Sequence, residues 1–484
     1  MNASDITTVL RRPTTAWPLE NALVSAAMAA QRISWIDAPA RALGLKVFTR
    51  RYLTRQVLAQ LRRTARGRPI LLRTAFGTLL TPLNAEDARS LIGAAEEAGA
   101  RGAVTGLTSH GRRLRLSAHT PLPVALASLS ARVRAVAAEE ALEILAVRGA
   151  NSALDRADWC AVTRRLARRL VFGDGAGDDT LVNDILEATL HAADATEYAA
   201  RVAALRRRLD PYVHDPAPDS VAAAVPDDGS RDGVVEHVLE TVTRALSDTV
   251  PQALALASVR PAAPAIDRVE QAVGSALRHY PPLSATVHEV RAPFRWRGTG
   301  VDAGTEILYA TAWLRDLDPT RGHGDDAPSA SLCAAPEPCA AAELAVLAAC
   351  ELTRALLRHA EPVVLSPQVE RDALPADLHA DSLDLALTDV HPHMAVAMAD
   401  GTFIPGAGAA APVGGRGSAR HAALASDSAR RLEEHARQLA ECARQPGWNQ
   451  DAFGEQCRMT LLAHAERCAR AAADVSRAAQ WFAR

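Results

Sequence analysis

Two long stretches dominate the hydrophobic pattern. Val234 to Ala257, VVEHVLETVTRALSDTVPQALALA, is apolar on most sides and predicts one long buried helix. Pro251 lies inside it. Proline lacks a backbone N–H and its ring crowds the preceding turn, so a kink is predicted there. The second stretch, Ser331 to Leu357, starts as a Pro-containing loop and passes into a helix with Leu344, Leu347, Ala348, Leu352 and Leu356 at helical spacing. Cys339 stands at the junction. A thiol there meets unpaired backbone N–H groups and the positive end of the helix dipole, which lowers its pKa and suits a metal-bound sulfur. A small buried cysteine is the alternative.

Residues 1–39 lack a clear period and read as a lead-in with one short helix. Residues 40–66 are Arg-rich with spaced Leu43, Val47, Leu53, Val57 and Leu61. They form an amphipathic helix whose basic face is either simply solvated or a dock for an acidic partner. Pro69–Thr74 and Gly77–Leu83 predict two strands around a Gly-containing turn, followed by a helix capped by Asn84. Gly99–Pro121 shows no element and carries Arg112, Arg113 and Arg115. Residues 122–207 are helical by pattern, and 210–232 read as a loop. The Gly173–Gly177 loop lacks the Lys and Ser/Thr of a phosphate loop, so it is a helix junction. A helix within Ile266–Pro282 ends at Pro281-Pro282. Strands follow at Ala285–Val290, Phe294–Trp296, Gly298–Gly304 and Ile307–Ala310, and Pro362–Leu387 reads as strand, turn, strand. Residues 388–417 are a Gly/Ala/Pro linker, and 418–484 form a helical hairpin. In the hairpin, His435 and Cys442 on one helix and Cys457, His464 and Cys468 on the other are either metal ligands or small core residues.

Composition narrows the classes. Aromatic residues are only 4% of the chain, so the core must be built from Leu, Val and Ala. A net charge of −2 gives no electrostatic case for nucleic acid or an anionic membrane surface. Seven cysteines with no even, closely spaced framework fit a reducing cytoplasm. The N-terminal apolar run Ala22–Ala30 falls short of the roughly twenty residues a membrane span needs, so neither leader nor anchor is expected.

Leu332, Cys333, Ala335, Pro336, Cys339, Ala340, Ala341 and Leu344 occupy a frame that resembles the haem-ligand segment of the cytochrome P-450 family, where FSxGPxxCPGxxL precedes a long helix. Pro336, Cys339 and Leu344 match; the Phe, the Ser, both Gly and the Pro after the Cys are replaced. The Trp-led basic helix and Gly-Asp turn from Trp159 to Asp179 are similar to a segment of actinobacterial members. The resemblance spans about residues 40–387 and is densest over 266–387.

The resemblance implies a mainly α fold with small β-sheets, to which the C-terminal helical hairpin is added. It implies a haem whose iron is held by Cys339 rather than Cys333 or Cys350. It places Arg112, Arg113, Arg115 and His288 toward the haem propionates; an exposed basic loop is the other reading of the three arginines. Asp248-Thr249 would be the acid/Thr pair of a widened helical turn that relays protons, unless Thr249 only bonds back to its own helix. Arg278 takes the Arg position of the ExxR helix, with Ser275 at the Glu position. The implied activity is a monooxygenase that hydroxylates a small apolar molecule with dioxygen and electrons from a separate ferredoxin or reductase. Ser275, Ala335, Ala341 and the short haem-covering segments support an alternative, a retired relative without functional haem that serves as a binding or scaffolding partner.

Overall fold

Most strands form where the sequence pattern predicts them; those at Thr14–Thr15, Arg101–Leu107 and Arg113–Arg115 are additional. β1 (Thr14–Thr15), β2 (Ile70–Thr74), β3 (Gly77–Thr81), β4 (Arg101–Leu107), β5 (Arg113–Arg115), β6 (Ala285–Val290) and β9 (Glu306–Tyr309) make one sheet in the order β1-β2-β3-β9-β6-β4-β5. Between β6 and β9, β7 (Phe294–Trp296) and β8 (Thr299–Val301) form a separate hairpin. A second hairpin pairs β10 (Ala360–Ser366) with β11 (Asp384–Asp389). The computed structural model describes residues 13–31, 49–108, 112–148, 152–227, 229–259, 265–312, 314, 331–335, 338–367, 369, 374–375, 378–389 and 416–444, with single positions between 455 and 477. Two compact units are present, Met1–His391 and Pro392–Arg484.

The helices of the first unit are α1 (Pro18–Gln31), α2 (Arg50–Thr64), α3 (Ala85–Glu97), α4 (Leu126–Val147), α5 (Arg156–Phe172), α6 (Thr180–Leu190), α7 (Ala195–His214), α8 (Val221–Ala224), α9 (Arg231–Arg244), α10 (Val250–Ser258), α11 (Val269–His279) and α12 (Ala340–His359). Asn84 caps α3 as predicted, its Oδ1 accepting from the Asp87 N–H at 2.7 Å. α7 runs through Pro211 to His214, about two turns past its expected end at residue 207.

α9 and α10 are one continuous rod joined by a π-helical turn, Ala245–Thr249. Pro251 explains the turn. It offers no N–H to the Ser247 carbonyl one turn back, and its ring pushes that carbonyl outward. The freed oxygen accepts instead from Arg156 Nη1 at 2.6 Å and Trp159 Nε1 at 3.3 Å, so no backbone acceptor is orphaned. The predicted kink is thus a widened turn whose carbonyl is claimed by α5. α12 packs along α4 and against α9, and these helices share a core of Leu, Val and Ala in which Trp159 and Phe172 are the large fillers. A second core lies between the sheet and α1 to α3.

Besides β1 and the short α8, the sequence pattern misses one feature that matters for the site. Gly99–Pro121 is not a structureless loop, because β4 and β5 lie within it and β4 pairs antiparallel with β6. Glycines at 102 and 106 blur the alternation of β4, and at Gly106 a larger residue would have to displace packed leucine side chains. A Cβ there would fall 2.7 Å from Leu283 Cδ2. The Gly173–Gly177 junction turns its carbonyls inward, and Ala176 O and Gly177 O accept from the buried Arg168 guanidinium at 3.1 and 3.2 Å. A phosphate loop points amides at its ligand, so this loop has the opposite polarity.

In the second unit α13 (Arg416–Arg444) buries Ala429, Ala436 and Ala443 at seven-residue spacing, and Ala465 and Ala472 repeat that spacing in a later helical stretch. This is a narrow small-residue seam. Cys442 is half-buried; the His435 side chain and Cys457, His464 and Cys468 lie outside the described residues. Among the described residues no helix is long and apolar enough to cross a membrane.

Candidate functional site

Cys339 is the N-cap of α12, in extended conformation, and its carbonyl accepts the first helical bond from the Glu343 N–H at 3.0 Å. The loop before it is pinned at several points. Ser331 Oγ donates to Leu277 O at 3.2 Å, Leu332 O accepts from Arg244 Nη1 at 2.7 Å, and the Ala335 N–H donates to Cys333 Sγ at 3.3 Å. Pro336 lies outside the described residues.

Facing this loop, α9 presents His237, Glu240 and Arg244, three polar side chains on one stripe of a buried helix. His237 Nε2 lies 3.4 Å from Cys339 Sγ and 3.5 Å from Cys333 Sγ. Its other ring nitrogen meets Ser117 Oγ at 3.2 Å, which aims Nε2 at the sulfurs. The segment leaving β5 supplies both Ser117 and His119, and the His119 ring meets His237 edge-on with centroids 5.3 Å apart. Glu240 Oε2 accepts from the Ser117 N–H at 2.9 Å, and its other oxygen pairs with Arg244. Hydrogen bonds from Cys333 first, and then from His119 and His237, hold Cys339 well below the ordinary thiol range against the opposing effect of burial. Cys333 is pushed up, because its proton is shared with the Cys339 sulfur and because it is buried. The Cys339 sulfur is thus faced by a neighbouring thiol and two imidazoles.

The resemblance read from the sequence implies a haem between Cys339 and the long helix, and the spacing of the residues here does not fit one. A planar macrocycle bonded to the sulfur at about 2.3 Å and given about 3.5 Å of clearance on its other face needs roughly 6 Å between that sulfur and the facing wall. The sulfur of Cys339 and the imidazole of α9 are 3.4 Å apart, so the slot is filled by His237 itself.

The residues singled out from the sequence are dispersed. Asp248 and Thr249 lie in the π-helical turn. Asp248 pairs with Arg156 at 3.2 Å, and the buried Thr249 hydroxyl has no partner among the described residues. Thr249 stands twelve residues beyond His237, which is about 18 Å along a helix, so the structure does not join the acid/Thr pair to Cys339. Arg112 and Arg113 are exposed, and Arg115 Nε donates to Ala192 O at 3.2 Å. His288 is fully buried in β6. Its Nε2 meets Thr286 Oγ1 at 3.0 Å and its Nδ1 has no partner among the described residues. Burial, helped by the charge of Arg101, pushes it down to about 3, so it stays neutral and offers no charge to a propionate. Arg278 is half-buried and pairs with no carboxylate among the described residues; Glu270, a candidate partner in sequence, pairs with Arg354.

Beside the π-helical turn lies a cavity of about 590 Å³. Ser247, Asp248 and Gln252 of the long helix line one wall. Arg156 and Arg164 of α5, Arg112 and Tyr280 close much of the rest. Its size suits a small molecule, and its walls are more polar than an apolar substrate needs. The Glu240–Arg244 pair separates it from the sulfur cluster.

No family model matches the sequence, and no curated protein matches it. Solved structures similar to it are cytochromes P-450. CYP108D1 from Novosphingobium aromaticivorans is 16% identical over 76% of this chain and 99% of that one, with a TM-score of 0.48. The retinoic acid-bound cyanobacterial CYP120A1 is 16% identical over 68% and 94%, with a TM-score of 0.42. CYP175A1 from Thermus thermophilus is 15% identical over 72% and 98%, with a TM-score of 0.41.

Proposed function

We propose that this chain, whose fold is cytochrome P-450-like, is a haem-free relative that binds a small polar molecule and does not activate dioxygen. The observation that carries this reading is the 3.4 Å contact between His237 Nε2 and Cys339 Sγ, which occupies the place of the macrocycle. The cavity beside the π-helical turn supports the binding role, since its guanidinium, carboxylate, amide and phenol groups suit a ligand rich in hydrogen-bonding atoms.

The haem-thiolate monooxygenase keeps one observation on its side, the π-helical turn carrying Asp248 and Thr249. That reading requires His237 to withdraw and a ferredoxin or reductase to supply electrons. An absorption spectrum separates the two. The full chain, purified from cells supplemented with a haem precursor, is expected to be colourless, with less than about 0.1 haem per chain and no thiolate-type band after reduction and CO treatment. A stoichiometric Soret band with that CO signature, lost in Cys339→Ser, would restore the monooxygenase.

A further inference from the structure

We propose that His119, His237, Cys333 and Cys339 form a tetrahedral zinc site that ties the cysteine loop to the long helix where a haem would otherwise lie. The four ligand atoms all lie within 4.8 Å of one another. Zinc bonds sulfur at about 2.3 Å and imidazole nitrogen at about 2.0–2.1 Å, so ligand atoms at the corners of its tetrahedron stand roughly 3.3–3.8 Å apart. The two measured sulfur–nitrogen separations, 3.4 and 3.5 Å, fall on those edges. The remaining separations need only a small inward movement of side chains around an ion.

Three further features agree. His237 is already oriented, because Ser117 Oγ holds Nδ1 at 3.2 Å and leaves Nε2 for the ion, and Ser117 is itself fixed through its N–H by Glu240. Metal-bound histidines are held by such outer partners. Cys333, Cys339 and His237 are buried while His119 is half-buried, which gives the ion an entry side and then seclusion. Two thiolates neutralise a divalent ion, so the filled site buries no net charge, and a mixed sulfur and imidazole donor set selects zinc over calcium or magnesium. The ligands come from three places: the segment after β5, α9, and the loop before α12. The site would cross-link these as a disulfide or haem does in other proteins, with all four positions closed and no place for a substrate.

The proposal rests on the reading that Cys339 holds no haem, and the two fail differently. The full chain is purified without chelator from zinc-supplemented cells, and its metal content is read by mass spectrometry. About one zinc per chain is expected in the wild type and in Cys350→Ser, with a fall below about 0.1 in Cys333→Ser and His119→Ala. Exchange with cobalt should give thiolate-to-metal charge-transfer absorption that Cys339→Ser abolishes. If the variants do not fold, the wild type decides alone through its zinc content and its cobalt spectrum. A colourless wild type with less than about 0.1 zinc and no cobalt spectrum overturns the zinc site and leaves the haem-free reading standing. Zinc retained in both ligand variants also overturns it. A Soret band overturns both readings.

Discussion

Glu240→Ala is expected to destabilise the first unit by about 3–5 kcal/mol, read as a lower urea midpoint with an unchanged slope. Glu240 and Arg244 are both almost fully buried, and they pair with each other one turn apart on α9. The carboxylate also accepts from the Ser117 N–H at 2.9 Å, and the guanidinium donates to Leu332 O at 2.7 Å. Removing the acid leaves a guanidinium in an apolar core with one partner and orphans a backbone donor, and both costs fall on the folded state. Removing both charges is a different experiment. In Glu240→Met with Arg244→Met the ion pair is replaced by matched apolar volume, which typically costs little. About half of the single-variant loss should therefore return, with a residue of about 2 kcal/mol for the unpaired Leu332 carbonyl and Ser117 N–H. A single variant that loses less than about 1 kcal/mol would mean that water reaches Arg244 from the adjoining cavity.

The same pair explains why the site was only half legible in the sequence. Local features were readable. Asn84 as a cap, Cys339 at a loop-to-helix junction, the strands of β2, β3 and β6 to β9, and a distortion at Pro251 depend on a few neighbouring residues. The cluster around Cys339 does not. His119, His237 and Cys339 follow one another at intervals of about a hundred residues, and no spacing rule joins them. They meet only because β4 pairs with β6 and carries the following segment onto α9, and that pairing is hidden by the glycines of β4. One clue was present. His237, Glu240 and Arg244 sit at i, i+3 and i+7 in a helix that is otherwise apolar on most sides, and buried polar residues on one stripe must find partners. Weighting that stripe would have pointed to α9 as the wall facing the cysteine, ahead of Asp248 and Thr249. Of the arginines that the resemblance sets toward propionates, Arg112 and Arg113 are exposed, Arg112 at the cavity wall, and Arg115 donates to the Ala192 carbonyl.

His288 should make the first unit acid-sensitive in a window set by its own burial. Its folded-state value is near 3 and its ordinary value is 6.5. Between these limits the unfolded chain binds a proton that the folded chain refuses, so stability falls as pH falls. The slope is about 1.4 kcal/mol per pH unit, or about 2 kcal/mol between pH 6.5 and 5. Above pH 6.5 both states are neutral and the term vanishes. The cause is positional: β6 is covered on both faces, Nε2 is engaged by Thr286, and the nearby charge of Arg101 opposes a second cation. Urea unfolding of wild type and His288→Leu at pH 7 and pH 5 isolates the term, since all other titrations are common to both chains. The variant should start lower at pH 7, by about 1 kcal/mol for the orphaned Thr286 hydroxyl. It should then lose about 2 kcal/mol less than wild type on acidification, so that the two curves cross. Parallel acid limbs would show that His288 accepts a proton in the folded state, and only such a histidine could offer charge to an anionic group.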